Sequence, residues 1–240
     1  MLTHMPDSLK SEELYLLIMQ YLAVNVGKVV TPSLISKTIN NCSHCRNATN
    51  KTVSTYLDKI VAQNDTVFCL DRKYVNQDNT VSLEYNRTYY FKDFSLFSKF
   101  YERAVYDLFS NKQFTKSDYD IACAKMVLYN TLLEQGYELS SGVFVYYSHL
   151  DHGKSKKNTF CFDFICKKDD LEHYVVFQSG KDFANSGFTA EAKFALQNLL
   201  KDKTITIVTT SEKFETVSND GFKYVHINDI LKSNNFKLQE

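Results

Sequence analysis

Residues 159–181 read TFCFDFICKKDDLEHYVVFQSGK. Two apolar runs, Thr159 to Cys166 and His173 to Gln178, flank the charged KKDDLE, the pattern of an antiparallel hairpin near the middle of a sheet. Asp163 stands alone among Phe160, Phe162 and Phe164. A carboxylate in that setting is costly to bury unless a metal, a cation or a set of hydrogen-bond donors compensates it, so the strand requires a partner for Asp163 without naming one.

Composition narrows the class. The chain has 240 residues, 44% of them hydrophobic, with 2 Pro and 7 Gly, which is globular and long enough for one large or two small domains. Its 28 basic residues balance 28 acidic ones, so no global field draws it to nucleic acid or to an anionic membrane, and any such contact needs a local patch. No apolar run approaches the ~20 residues that span a bilayer. The N-terminal MLTHMPDSLK lacks the order of a signal peptide, so a cytoplasmic protein is expected. Six scattered cysteines then stay reduced. Cys42-Ser43-His44-Cys45 has the spacing of half a zinc site, but no second half follows.

Outward from the hairpin, the first part of the chain predicts three helices. Leu14, Leu17, Ile18, Tyr21 and Leu22 form an apolar stripe over Ser11 to Val24; Thr31 caps and Pro32 opens a short helix through Ile35 and Ile39. A third helix spans Asn50 to Gln63, with Val53, Tyr56, Leu57 and Ile60 on one face. Strands are expected at Thr66 to Val75 and Val81 to Lys92, separated by the turn-rich NQDNT. Three helices and a hairpin in that order describe a winged helix-turn-helix over residues 1–93. Its third helix is the candidate recognition helix: Arg46, Asn50, Lys51, Ser54, Thr55 and Lys59 could reach phosphates or base edges, with Arg72, Lys73 and Arg87 contributed by the wing. Eleven basic against nine acidic residues over 1–99 is a weaker charge signal than an independent DNA binder shows, so a module that packs on another protein is the competing reading.

Residues 94–118 read as an aromatic-rich junction, helical in part through Phe97, Tyr101, Val105 and Leu108. Residues 119–240 predict a helix from Tyr119 to Gln135 capped at Gly136, strands at Val143 to Tyr147, at the hairpin, at Thr204 to Val208 and at Phe222 to Ile227, a helix at Phe188 to Leu200, and a short last helix around Ile230 and Leu231. This is an α+β class with a mixed sheet, in the element order of the restriction-endonuclease-like α/β fold.

Nucleases of that fold need an Asp on one strand and a carboxylate-x-Lys on the next, because strand alternation then gathers the acids around Mg²⁺ and the Lys near the attacking water. Asp163 fits the first position; Val176 and Gln178 stand where the acid and Lys should be. Glu191-Ala192-Lys193 has the letters but lies in a helical stretch, and Glu138, Glu172 or Asp182 would have to supply acids instead. Gly153-Lys154-Ser155 ends like a phosphate-binding loop, yet Ser148 occupies the position of its first Gly. His149, Asp151 and His152 read as a solvated turn.

Taken together, VSTYLDKIVAQNDTVFCLDRKYV (53–75), TYYFKDFSL (88–96), LYNTLLEQGYEL (128–139), FCFDFICKKDDLEHYVVFQ (160–178) and KYVHINDIL (223–231) resemble the uncharacterised C-terminal domain of bacterial and archaeal AAA-type ATPases. The resemblance covers roughly residues 12–232. It implies a winged helix followed by a restriction-endonuclease-like domain, here without the P-loop ATPase domain, so that the chain is a stand-alone remnant, a separately encoded partner of an AAA-type ATPase, or a C-terminal fragment of one. Against the family pattern, Lys125 stands for a Glu, Thr88 for a Lys, Ser95 for a Gly and Val176 for a Gln, so of the nuclease-like polar set only Asp163 is kept. The expectation is therefore a non-catalytic DNA-binding or protein-interaction module with no cofactor. The alternative is a divergent metal-dependent nuclease using Asp163 and Mg²⁺.

Overall fold

A computed structural model describes residues 7–41, 48–63, 66–76, 80–109, 114–149, 155–178, 194, 196–197, 203–210, 222–232 and 238. In chain order its elements are α1 (Asp7–Val24), α2 (Pro32–Asn40), α3 (Asn50–Gln63), β1 (Val67–Asn76), β2 (Val81–Phe91), α4 (Phe94–Asp107), α5 (Lys116–Glu134), β3 (Glu138–His149), β4 (Ser155–Lys168), β5 (Leu171–Gln178), β6 (Thr204–Thr209), β7 (Lys223–His226) and α6 (Ile227–Lys232). The helix expected at Phe188 to Leu200 lies outside the described residues except at 194 and 196–197, which are helical.

The elements fall into two units, Met1–Cys69 with Asn86–Ala122, and Leu70–Tyr85 with Cys123–Glu240. In the first unit the caps are those the side chains dictate. Thr31 Oγ1 accepts from the Leu34 N–H at 3.2 Å ahead of Pro32, and Asp93 Oδ1 accepts from the Leu96 N–H at 2.6 Å to start α4. α1 is buried all round from Ile18 to Val24, and the shorter helices turn apolar stripes inward, Ile35 and Ile39 from α2 and Val53, Leu57 and Ile60 from α3. Helices of this length are marginal alone, so it is this burial that holds them. Segment 94–118, expected as a junction, is instead part of the first unit. Its Phe97 is fully buried, in ring contact with Phe91, Tyr101 and Tyr119, and Gln20 of α1 donates to Asp107 of α4 at 2.9 Å.

The second unit holds a mixed sheet in the order β2-β1-β3-β4-β5-β6-β7. β3, β4 and β5 are antiparallel neighbours, while β1 pairs with β3, β5 with β6 and β6 with β7 in parallel. The α+β class with a mixed sheet is therefore present. The hairpin expected as the wing of residues 1–93 forms β1 and β2, and β1 also pairs with β3. Arg72 to Asn76 of β1 run alongside Ser141 to Val145 of β3, which assigns Leu70–Tyr85 to the second unit.

β4 and β5 extend past the expected strand ends, leaving Asp169 and Asp170 as the turn; Asp169 takes a positive φ of 54°, which a short polar side chain tolerates. α5 opens on a reciprocal cap, the Asp118 N–H to Thr115 Oγ1 at 3.2 Å and the Thr115 N–H to Asp118 Oδ2 at 2.8 Å. It closes at Gly136, φ 81°, where Gly136 N–H donates to the Leu133 carbonyl and Tyr137 N–H to that of Leu132. One sheet face buries Val75, Phe144, Phe162, Ile165, Tyr174, Val176 and Ile207 in a single core, and α5 covers the other. Among the described residues no helix is long and apolar enough to cross a membrane.

Candidate functional site

The site at Asp163 is made by an irregularity in β4. Ser140 pairs with Ile165 and Gly142 with Phe162, so Ser141 alone faces both Asp163 and Phe164, a β-bulge. An extra residue reverses the alternation of everything beyond it. Phe162 and Ile165 both enter the core, and Asp163 and Phe164 are both turned to α5. Phe164 meets Tyr129 and Phe177, with ring centroids 6.4 Å away in each case.

Asp163 meets Lys125. The Lys125 Nζ lies 2.5 Å from Asp163 Oδ1, with side chains 9% and 14% exposed, and the Phe177 N–H donates to Oδ2 at 2.7 Å. The ammonium also sits 5.5 Å from the Phe177 ring centroid. Of the three forms of compensation open to a buried carboxylate, Asp163 has two, a cation and a backbone donor. β4 is the central strand of seven, so Asp163 is not at a sheet edge.

The bulge also corrects the pairing expected on β5. Val176 packs in the core on the face away from Asp163, and Gln178 shares its parity. On the face of Asp163, β5 presents Val175 and Phe177, which can neither hold Mg²⁺ nor activate water. Glu172 is committed to Lys203 and to the Tyr174 hydroxyl, which donates to it at 3.0 Å. Glu138 is exposed at the start of β3, opposite Lys167. Asp182 and Glu191-Ala192-Lys193 lie outside the described residues, as do Asp151 to Lys154, Cys42 and Cys45.

Lys125 was visible in the sequence as a departure from a motif, not as a partner. Its signal was position: Ala122, Lys125, Tyr129 and Leu132 share the buried stripe of α5, so a lysine stands on an apolar helix face as an aspartate stands on an apolar strand.

The α3 candidates have different fates. Asn50, Lys51, Thr55 and Lys59 are exposed, Ser54 is half-buried, and Arg46 lies outside the described residues. Asn50 Oδ1 accepts from Ser36 Oγ at 2.6 Å, and Thr55 Oγ1 donates back to the Lys51 carbonyl at 3.0 Å. The exposed Asp58 opposes Lys51 and Lys59 on the same helix. Arg87 is half-buried, its carbonyl accepting from the Val30 N–H at 3.1 Å. Arg72 and Lys73 group with the second unit. Arg72 is 6% exposed, its Nε 3.0 Å from Glu84 Oε2 and its Nη2 donating to Cys161 Sγ at 3.3 Å, so it is not available to a phosphate. Lys73 is half-buried at a cavity.

His173 is buried on β5, edge-on to Tyr137 at 6.4 Å. Burial first, and the charge of Lys223 second, hold its pKa below the ordinary 6.5, so the neutral imidazole is favoured.

No family model and no curated protein matches the chain. Among solved structures, protein VC1899 from Vibrio cholerae aligns with 93% of this chain and 54% of its own, at 8% identity and a TM-score of 0.31. The chain thus spans about half the length of that protein, and a likeness at this level carries no inference about fold or activity.

Proposed function

We propose that the chain is a non-catalytic DNA-binding or protein-interaction module, built from a winged helix-turn-helix and a restriction-endonuclease-like unit without a working nuclease site. The observation that carries the reading is the occupancy of Asp163: both carboxylate oxygens are engaged, one by Lys125 and one by the Phe177 N–H, and its β5 neighbours on that face are Val175 and Phe177. An ammonium group stands where a metal-dependent hydrolase would need a divalent cation, and cation and ammonium compete for the same carboxylate lone pairs.

The binding half is supported by α3. Its inner stripe is anchored by Val53, Leu57 and Ile60, which leaves Asn50, Lys51, Thr55 and Lys59 outward along a helix able to lie in a major groove. The resemblance to the C-terminal region of AAA-type ATPases adds an ATPase as the protein partner for the interaction half.

Fluorescence anisotropy on a labelled DNA duplex over a salt series tests the DNA half. The expected result is salt-sensitive binding weakened by Lys51→Ala and Lys59→Ala; absence of binding at low salt removes DNA and leaves protein interaction. Plasmid incubated with Mg²⁺ or Mn²⁺ is expected to stay intact. Cleavage abolished by Asp163→Ala would replace this reading with the nuclease one.

A further inference from the structure

The second unit has a cavity of about 410 Å³ on the core face of its sheet, the face opposite Asp163. That is the size of small-molecule sites in proteins, which pair an apolar lining with a few placed polar groups. The floor is Val75 of β1 and Ile165 of β4, both buried. Gly142 of β3 makes the floor low: a Cβ there would lie 2.5 Å from Ile165 Cδ1, so the absent side chain is what lets Ile165 lie flat. At the rim, Val81 and Leu171 are 58% and 52% exposed, apolar surface turned to water beside an open hollow.

Three lysines line the cavity, Lys73, Lys167 and Lys203, beside two acidic residues, Asp170 and Glu172. Lys203 and the Tyr174 hydroxyl both engage Oε2 of Glu172. Lys73 is half-buried one pleat from Val75, and Lys167 lies one pleat from Ile165, with Asp170 in the lining and Glu138 and Glu172 on the strands either side of Lys167.

We propose that this cavity binds a small organic anion, a phosphate or carboxylate group carrying a flat apolar body, with the anion between Lys73 and Lys167 and the body over Val75 and Ile165. The two requirements are separable. Ammonium groups on an apolar floor offer charge-assisted hydrogen bonds to the anionic head, and the floor offers apolar burial that a bare ion cannot use. The site uses none of the α3 residues of the proposed DNA surface, so either can fail without the other.

Calorimetric titration of the full chain with adenosine monophosphate, indole-3-acetate and inorganic phosphate tests it. Saturable binding of either organic anion, with inorganic phosphate weaker, is the expected result; which of the two binds identifies the head group as phosphate or carboxylate. Lys73→Met and Lys167→Met should each weaken that binding by about tenfold, the loss of one charge-assisted bond, while Lys51→Ala leaves it unchanged. Far-ultraviolet circular dichroism confirms that each variant is folded, and two lysines tested separately guard against one variant failing to fold. Absence of saturable binding by both organic anions, or affinity unaltered in both folded lysine variants, overturns the proposal.

Discussion

Lys125 and Asp163 form a buried ion pair between α5 and the bulge of β4, Nζ to Oδ1 2.5 Å, on the face of the sheet opposite its main core. Removing one partner strands the other charge, which in buried pairs costs roughly 3–5 kcal/mol, whereas replacing both partners is often close to neutral. Lys125→Met is therefore expected to destabilise the second unit by about 3–5 kcal/mol in urea unfolding. Lys125→Met combined with Asp163→Asn, which still accepts from the Phe177 N–H, should recover most of that loss. Additive effects in the double-mutant cycle would show that the pair is not coupled.

His173 sets a pH dependence. Its pKa in the folded protein is depressed below 6.5, chiefly by burial, so the unfolded chain binds more protons as pH falls past that value. The stability His173 contributes is whole above about pH 6.5 and is lost on acidification towards its lower folded pKa. Thermal melts from neutral to mildly acidic pH should show a fall that His173→Gln flattens; an equal slope in the variant would assign the dependence to other groups.

Two glycines are expected to fail for different reasons. Gly136→Ala meets no atom within 4 Å but must hold φ 81°, costing about 1 kcal/mol at the end of α5. Gly142→Ala must displace Ile165 Cδ1 from 2.5 Å and also crowds the Lys73 carbonyl at 3.4 Å, so its cost of about 1–3 kcal/mol is one of overpacking. Combining Gly142→Ala with Ile165→Val should restore part of the loss in chemical denaturation, and no second-site change in packing should restore Gly136→Ala.

The basic residues near the proposed DNA surface should separate by burial. Lys51→Ala and Lys59→Ala are each expected to lower the slope of log affinity against log salt by about one. Arg72→Ala should leave that slope unchanged and instead lower the melting temperature, because Arg72 is buried against Glu84 and Cys161. A reduced salt slope in Arg72→Ala, with the protein folded, would contradict this assignment.

Much of the architecture was legible because it rests on local chemistry. The range of α3, the cap at Thr31, the glycine end of α5 and the β4–β5 hairpin all follow from periodicity, side-chain hydrogen bonding and φ > 0, which neighbouring residues decide among themselves. The helix through Phe97 was also indicated, but not that it belongs to the first unit, since an apolar stripe does not state what it packs on. The hairpin β1–β2 was indicated in the same way, as the wing of residues 1–93, without its pairing to β3. Its strand pattern is local, whereas its alignment of Arg72 to Asn76 with β3 is a pairing between distant segments.

By itself the sequence determined that Asp163 lies within an apolar strand and must be compensated, and that the residues after it on β5 lack an acid and a lysine. Only the tertiary structure decided which compensation operates and which β5 residues count. A single extra residue at Asp163 and Phe164 against Ser141 exchanges the two faces of the sheet, so Val176 and Gln178 leave the site and Lys125 enters it. Strand parity is a property of pairing, and no periodicity within one strand records where its partner slips by one.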